Sequence, residues 1–206
     1  MSYKSYMFRS ASRKEAVRHN LFRCGLALAL LFFACDMLPT DEFEPTGSQF
    51  NGNPAIEVVS ITGHPDLSPN GPFTMGMTIV SLTSGIESDE LPAGLLLRRR
   101  VNNTQHMLLL KPHPIATDTI ERLMLLGAFC CNKLRASPDI GDTFDIGPVT
   151  DNDDLQEIAS LVRNKDISSG TDMWMVQRAV YMVTDSTGLT QAYVDSLTAL
   201  PDETTY

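Results

Sequence analysis

The sequence predicts an α+β domain, with an antiparallel β-sandwich or barrel-like half over 54–149 followed by a small helical half over 150–201. Two changes of pattern carry this. From residue 54 the apolar residues fall at period two, in short runs separated by Gly, Pro, Asn and Asp. From residue 151 they fall at i, i+3, i+4 and i+7. A third observation bounds the size: 206 residues, 43% hydrophobic and 20% charged, supply one core of moderate extent.

The chain begins differently. Residues 1–34 carry Lys4, Arg9, Arg13, Lys14, Arg18 and Arg23 against one acid, Glu15, and end in an apolar run from Gly25 to Ala34. A basic segment followed by an apolar stretch too short to span a bilayer has the anatomy of a signal peptide. Its end, Ala34-Cys35-Asp36, resembles a bacterial lipoprotein signal. That resemblance implies cleavage before Cys35, acylation of its thiol, and a protein held in the cell envelope, outside the cytoplasm, by a lipid in the membrane. Residues 35–53, with Pro39, Pro45, Gly47 and several acids but no apolar period, are expected to form a flexible tether. The domain proper is then 54–206.

Beyond residue 34 there are ten basic and 24 acidic side chains, a formal charge of -14. Such a surface argues against nucleic acid, whose phosphates need clustered cations. Arg98-Arg99-Arg100 is the only basic run and ends an apolar strand, as a solvated edge does.

Within the strand-rich half, Ile56–Ile61 is β-branched, and Phe73, Met75, Met77 and Ile79 alternate onto one face. Gly63–Pro72 and Ser88–Gly94 are turn chemistry. Leu95–Arg98 and Gln105–Leu110 are further strand runs. Thr119–Cys130 is the longest, with Ile120, Arg122, Met124, Leu126, Ala128 and Cys130 on one face. Its polar residues gather at the start, so past Leu125 both faces should be covered. In the helical half, Asp151-Asn152-Asp153-Asp154 opens a helix whose stripe is Leu155, Ile158, Ala159 and Val162. Ser168–Asp172 caps the next, with Met173, Val176, Val180 and Val183 as its stripe. Tyr193, Val194, Leu197 and Leu200 drive a last helix before Pro201.

No metal or cofactor is expected. His64, His106 and His113 have no i,i+4 partner, and the aspartates around 139–154 lack the glycine and closing glutamate of a calcium loop. No Gly-rich phosphate loop, Ser-His-Asp order or paired carboxylates mark an enzyme. What stands out is Phe129-Cys130-Cys131, where a strand enters the core, and Gln177, about 70° from the centre of its helix's stripe on the flank with Trp174, Tyr181 and Thr184. A thiol and a carboxamide held together can expel ammonia and form a thioester.

Phe129-Cys130 and Gln177-Arg178-Ala179-Val180-Tyr181-Met182-Val183-Thr184-Asp185 resemble the two motifs of the thioester domains of bacterial surface adhesins. There an aromatic-Cys pair closes a strand and a helix of the form Gln-x-Ala-Ile-Trp-x-x-Thr-Asp-Gly brings the glutamine. The likeness spans roughly residues 90–190; Tyr181 stands for tryptophan and Ser186 for glycine. It implies that Cys130 is the thiol and Gln177 the acyl donor, with Phe129, Cys131, Trp174, Tyr181 and Thr184 around the bond. Cys131 adjoins the nucleophile, and the sequence leaves open which cysteine reacts. The implied function is single-use capture of an amine on a partner, a surface protein or glycan, rather than turnover. The other reading is a noncovalent binding or structural lipoprotein of the same fold.

Overall fold

A computed structural model describes residues 43–66, 70–101, 104–185 and 187–204. The signal segment, Cys35 and the first part of the expected tether lie outside the described residues. The architecture is α+β: nine described strands, mostly antiparallel, then three helices. The strands are β1 (Gly47–Gln49), β2 (Ile56–His64), β3 (Phe73–Ser81), β4 (Glu87–Leu91), β5 (Leu95–Arg99), β6 (Met107–Leu108), β7 (His113–Thr117), β8 (Arg122–Cys130) and β9 (Phe144–Thr150); the helices are α1 (Asp153–Val162), α2 (Gly170–Thr184) and α3 (Gln191–Thr198). Seven strands form one sheet in the order β1-β9-β5-β6-β8-β3-β2, and β4 pairs with β7 in a second. The sheet curls so that the far end of β2 meets the segment leading into β9, with Gly63 N–H donating to Asp142 O at 3.2 Å.

Three strands of this sheet are covered on both sides, which explains their nearly unbroken apolar sequences. Leu95, Leu97, Met107, Leu109, Ala128 and Cys130 point into a core with Met75, Met77 and Ile79 of β3 and with Leu91 and Ile115 of the small sheet. Their alternate neighbours Leu96, Leu108, Leu110, Phe129 and Cys131 point the other way, into a second core with Leu155, Ile158, Val162, Val176, Val180 and Leu197 of the helices. Period-two alternation therefore sorts each strand between two apolar layers rather than between core and water.

β8 makes the change from surface to core within its own length. Leu123 is 55% exposed, whereas every residue from Leu126 to Cys130 is buried. The strand starts at Arg122 rather than Thr119, because the Asp118 carboxylate accepts the Ile120 N–H at 2.9 Å and a bond from Arg122 at 2.6 Å, turning the chain there. A second correction concerns the tether. The part of 35–53 that is described belongs to the fold: β1 pairs with β9, Gly47 opposite Thr150, and Phe43 packs against the helix-side core while its carbonyl accepts from Asn132 Nδ2 at 3.3 Å. Without an apolar period a three-residue edge strand leaves no pattern to read.

The helix ends follow their sequence signals. Asn152 caps α1, its side-chain oxygen accepting Leu155 N–H at 3.0 Å, with Asp153 and Asp154 in the first turn. Asn152→Ala is expected to cost about 1 kcal/mol, read as a lowered urea midpoint at unchanged slope. Ser169 caps α2 and exchanges bonds with Asp172 in both directions. Thr190 holds the cap position of α3 by its backbone alone.

Candidate functional site

β8 outlasts its neighbour. β3 begins at Phe73, opposite Ala128, and the turn before it crosses β8 so closely that a Cβ on Gly71 would fall 2.5 Å from Ala128 N. Backbone groups along a strand alternate between its two sides. Cys131 N–H faces β6 and donates to His106 O at 3.0 Å, so Cys130 faces the side that β3 has vacated. Its N–H and C=O are buried there with no strand to meet them.

Gln177 meets them. Its Oε1 accepts Cys130 N–H at 2.9 Å and its Nε2 donates to Cys130 O at 2.8 Å, and both residues are 0% exposed. The planar carboxamide stands in for the missing peptide group. The sequence placed Gln177 on the flank of its helix; the structure turns that flank to the sheet edge.

The rest of α2 straddles the same residue. Tyr181, one turn after Gln177, packs against the inner core, of which Cys130 is a member. The thiol approaches Met107 Sδ at 4.0 Å. Cys131 points into the helix-side core, as does Phe129. Trp174, one turn before Gln177, is 52% exposed and sets its ring edge-on to Phe73 at 6.4 Å between centroids, where β3 begins. It is therefore a wall at the sheet's end and leaves its own face to solvent. Thr184 is buried, and its hydroxyl donates to Val180 O at 3.1 Å within its own helix.

Two further residues build the site, and sequence reasoning assigned neither a role. Gln105 Oε1 accepts Asn132 N–H at 3.1 Å while its Nε2 donates to Arg135 O at 2.8 Å. Asn132 Oδ1 in turn accepts His106 N–H at 3.1 Å. These bonds lock the strand after Cys131 to the start of β6. Asn132 adjoins the cysteines; Gln105 carries no local signal, because its partners lie about thirty residues away.

Burial dominates the electrostatics. It pushes the Cys130 thiol up to about 12, with the Tyr181 hydrogen bond acting in the opposite direction. It pushes Cys131 well above the ordinary thiol value, the nearby Cys130 adding to the effect. The Tyr181 phenol is likewise raised, by burial first and by Cys130 next. At neutral pH all three are protonated. Both cysteines are free thiols. Among the described residues no three His, Cys, Asp or Glu side chains gather as metal ligands, and no helix is long and apolar enough to cross a membrane.

Comparison with protein-family models, curated proteins and solved structures gave no match.

Proposed function

We propose that this chain is an envelope domain of the thioester-domain kind, tethered to the membrane through a lipid on Cys35. In particular, we read it as a surface adhesin that links Cys130 to Gln177 and captures a partner's amine covalently. The observation that carries this is the pair of hydrogen bonds fixing the Gln177 carboxamide on Cys130. These bonds hold residues 47 apart in sequence together, with the carboxamide on the main chain of the residue that carries the thiol. The donated N–H also polarises the carbonyl that the sulfur would attack.

In the reaction the Cys130 Sγ–H bond and the Gln177 Cδ–Nε2 bond break, Sγ–Cδ forms, and ammonia leaves with the thiol's proton. An arriving amine then replaces sulfur at Cδ, and the sulfur takes back a proton as the thiol. The captured partner stays attached through an amide, and the domain does not turn over.

The second reading rests on the same bonds. A carboxamide that satisfies a strand's last polar groups is complete as a structural device, and a thiol held at about 12 is a weak nucleophile at neutral pH. A domain of that sort would bind a protein or glycan without covalent capture. Intact mass decides between them. The covalent reading expects the purified chain to be about 17 Da lighter than its sequence requires, through loss of ammonia. Cys130→Ala should restore the full mass and Cys131→Ala should not. Full mass in the unaltered protein would leave the noncovalent domain.

A further inference from the structure

The large sheet starts to close on itself and then stops. At one end β2 and β9 meet: Thr62 is bridged to Thr143, and Gly63 N–H donates to Asp142 O at 3.2 Å. Past that point both strands carry a bulge, β2 between Val58 and Ser60 and β9 between Ile146 and Val149. A bulge bends its strand and adds twist, so the two part there. Between them opens a cavity of about 880 Å³. Ile56, Val58 and Ile146 stand at its rims, and Phe50, Leu91 and Ile115 line it on the side of the inner core.

The rims carry backbone groups that no described strand meets. Leu82 N–H donates to Ala55 O, so Ala55 and Glu57 turn their peptide groups to β3 and Val58 turns its own away. Arg100 N–H donates to Thr143 O, so Thr143 and Asp145 face β5 and Ile146 faces away. Val58 and Ile146 thus present N–H and C=O to the cleft from opposite sides. Arg98 adds a charge at the outer lip. It points away from the core that takes Leu97, and its stem crosses β9 where a Cβ on Gly147 would fall 2.7 Å from Arg98 Cγ. Glycine gives the stem its path. Its cross-strand neighbour Asp145 is engaged by Arg100 Nε at 2.8 Å. Asp89, the carboxylate on the cavity wall, is engaged as well, by Asn53 N–H at 2.7 Å and Glu90 N–H at 2.8 Å.

We propose that this cleft is a recognition site for an extended segment of a partner protein, which adds as a strand between β2 and β9. The rims pair with the segment's backbone on both sides, apolar side chains at alternate positions enter the cavity, and an acidic side chain at an outward position meets Arg98. A glycan has no run of alternating N–H and C=O groups to answer both rims. The site goes beyond the reading above and holds whether or not Cys130 and Gln177 react, since that chemistry is read separately from intact mass.

The test uses the full chain and a capped hexapeptide of alternating valine and glutamate, matched to the rim over 56–61. The peptide is expected to slow amide hydrogen exchange in 56–61 and 144–148, followed by mass, more than anywhere else in the chain. Methylating every second backbone nitrogen of the peptide keeps its side chains and removes its strand pairing, and its affinity should fall about tenfold or more. Arg98→Glu should weaken the unmethylated peptide about tenfold. Equal binding of the methylated peptide would make the cleft an apolar pocket and overturns strand addition. Protection that falls elsewhere, or no binding at about 1 mM peptide, overturns it too. Unchanged affinity in Arg98→Glu overturns the charge at the lip. If both rims already exchange slowly in the chain alone, its own residues fill the cleft and a partner strand is ruled out.

Discussion

Gln177→Leu is expected to destabilise the domain by about 2–6 kcal/mol, although leucine matches glutamine closely in size. The loss comes from the strand rather than from the helix. Removing the carboxamide leaves Cys130 N–H and Cys130 O buried with no partner, and each orphaned group costs about 1–3 kcal/mol. Against a typical total of about 5–15 kcal/mol, that brings the variant near the edge of folding at ambient temperature. Gln177→Glu retains the oxygen that accepts Cys130 N–H and so is expected to lose less. Chemical denaturation of the three proteins checks this. A leucine variant within about 1 kcal/mol of the unaltered protein would mean that the carboxamide is not what satisfies the end of β8.

The second large effect is alkaline unfolding. Cys130 has a higher pKa folded than unfolded, so folding favours its protonated form. Its contribution is full below the unfolded value of 9.0 and is lost as pH rises toward about 12. Three units correspond to a contribution on the order of 4 kcal/mol. Cys131 and Tyr181 shift in the same direction, also through burial, and steepen the decline. The melting temperature should hold steady to about pH 9 and then fall continuously. Conversion of Cys130 to a thioester would remove its share and leave that of Cys131, so Cys131→Ala should flatten the curve most in a protein that has lost ammonia. A melting temperature that stays level to pH 11 would contradict the burial of these groups.

How much of this was legible in the sequence depended on the range of the interaction. Period-two alternation in Phe73–Ile79 and the i, i+3, i+4 stripe of Leu155–Val162 are local, and both elements formed where the pattern put them. The composition of Leu126–Cys130 announced a strand covered on both faces, but not that its two faces belong to separate cores. The flank position of Gln177 followed from helical geometry. Its engagement with backbone did not, because it depends on where β3 stops, and that is set by the close crossing at Gly71. Trp174 illustrates the opposite case: the adhesin resemblance implied a place around the bond, yet its ring turns to Phe73 and remains half in water. Gln105 lay beyond local reading altogether, since its role depends on partners brought near by the strand pairing of β6 with β8.

The strands shared between the two apolar layers bind the halves into a single cooperative unit. Leu96, Leu108, Leu110 and Phe129 depend on the helices for their cover, while Leu95, Leu97, Met107 and Cys130 on the same strands line the inner core. A truncation after β9 would therefore bare a continuous greasy face on an otherwise intact sheet, a surface prone to self-association. Domain boundaries drawn from the change of periodicity near residue 150 would cut through one object, and the chain should melt in one step, helices and sheet together.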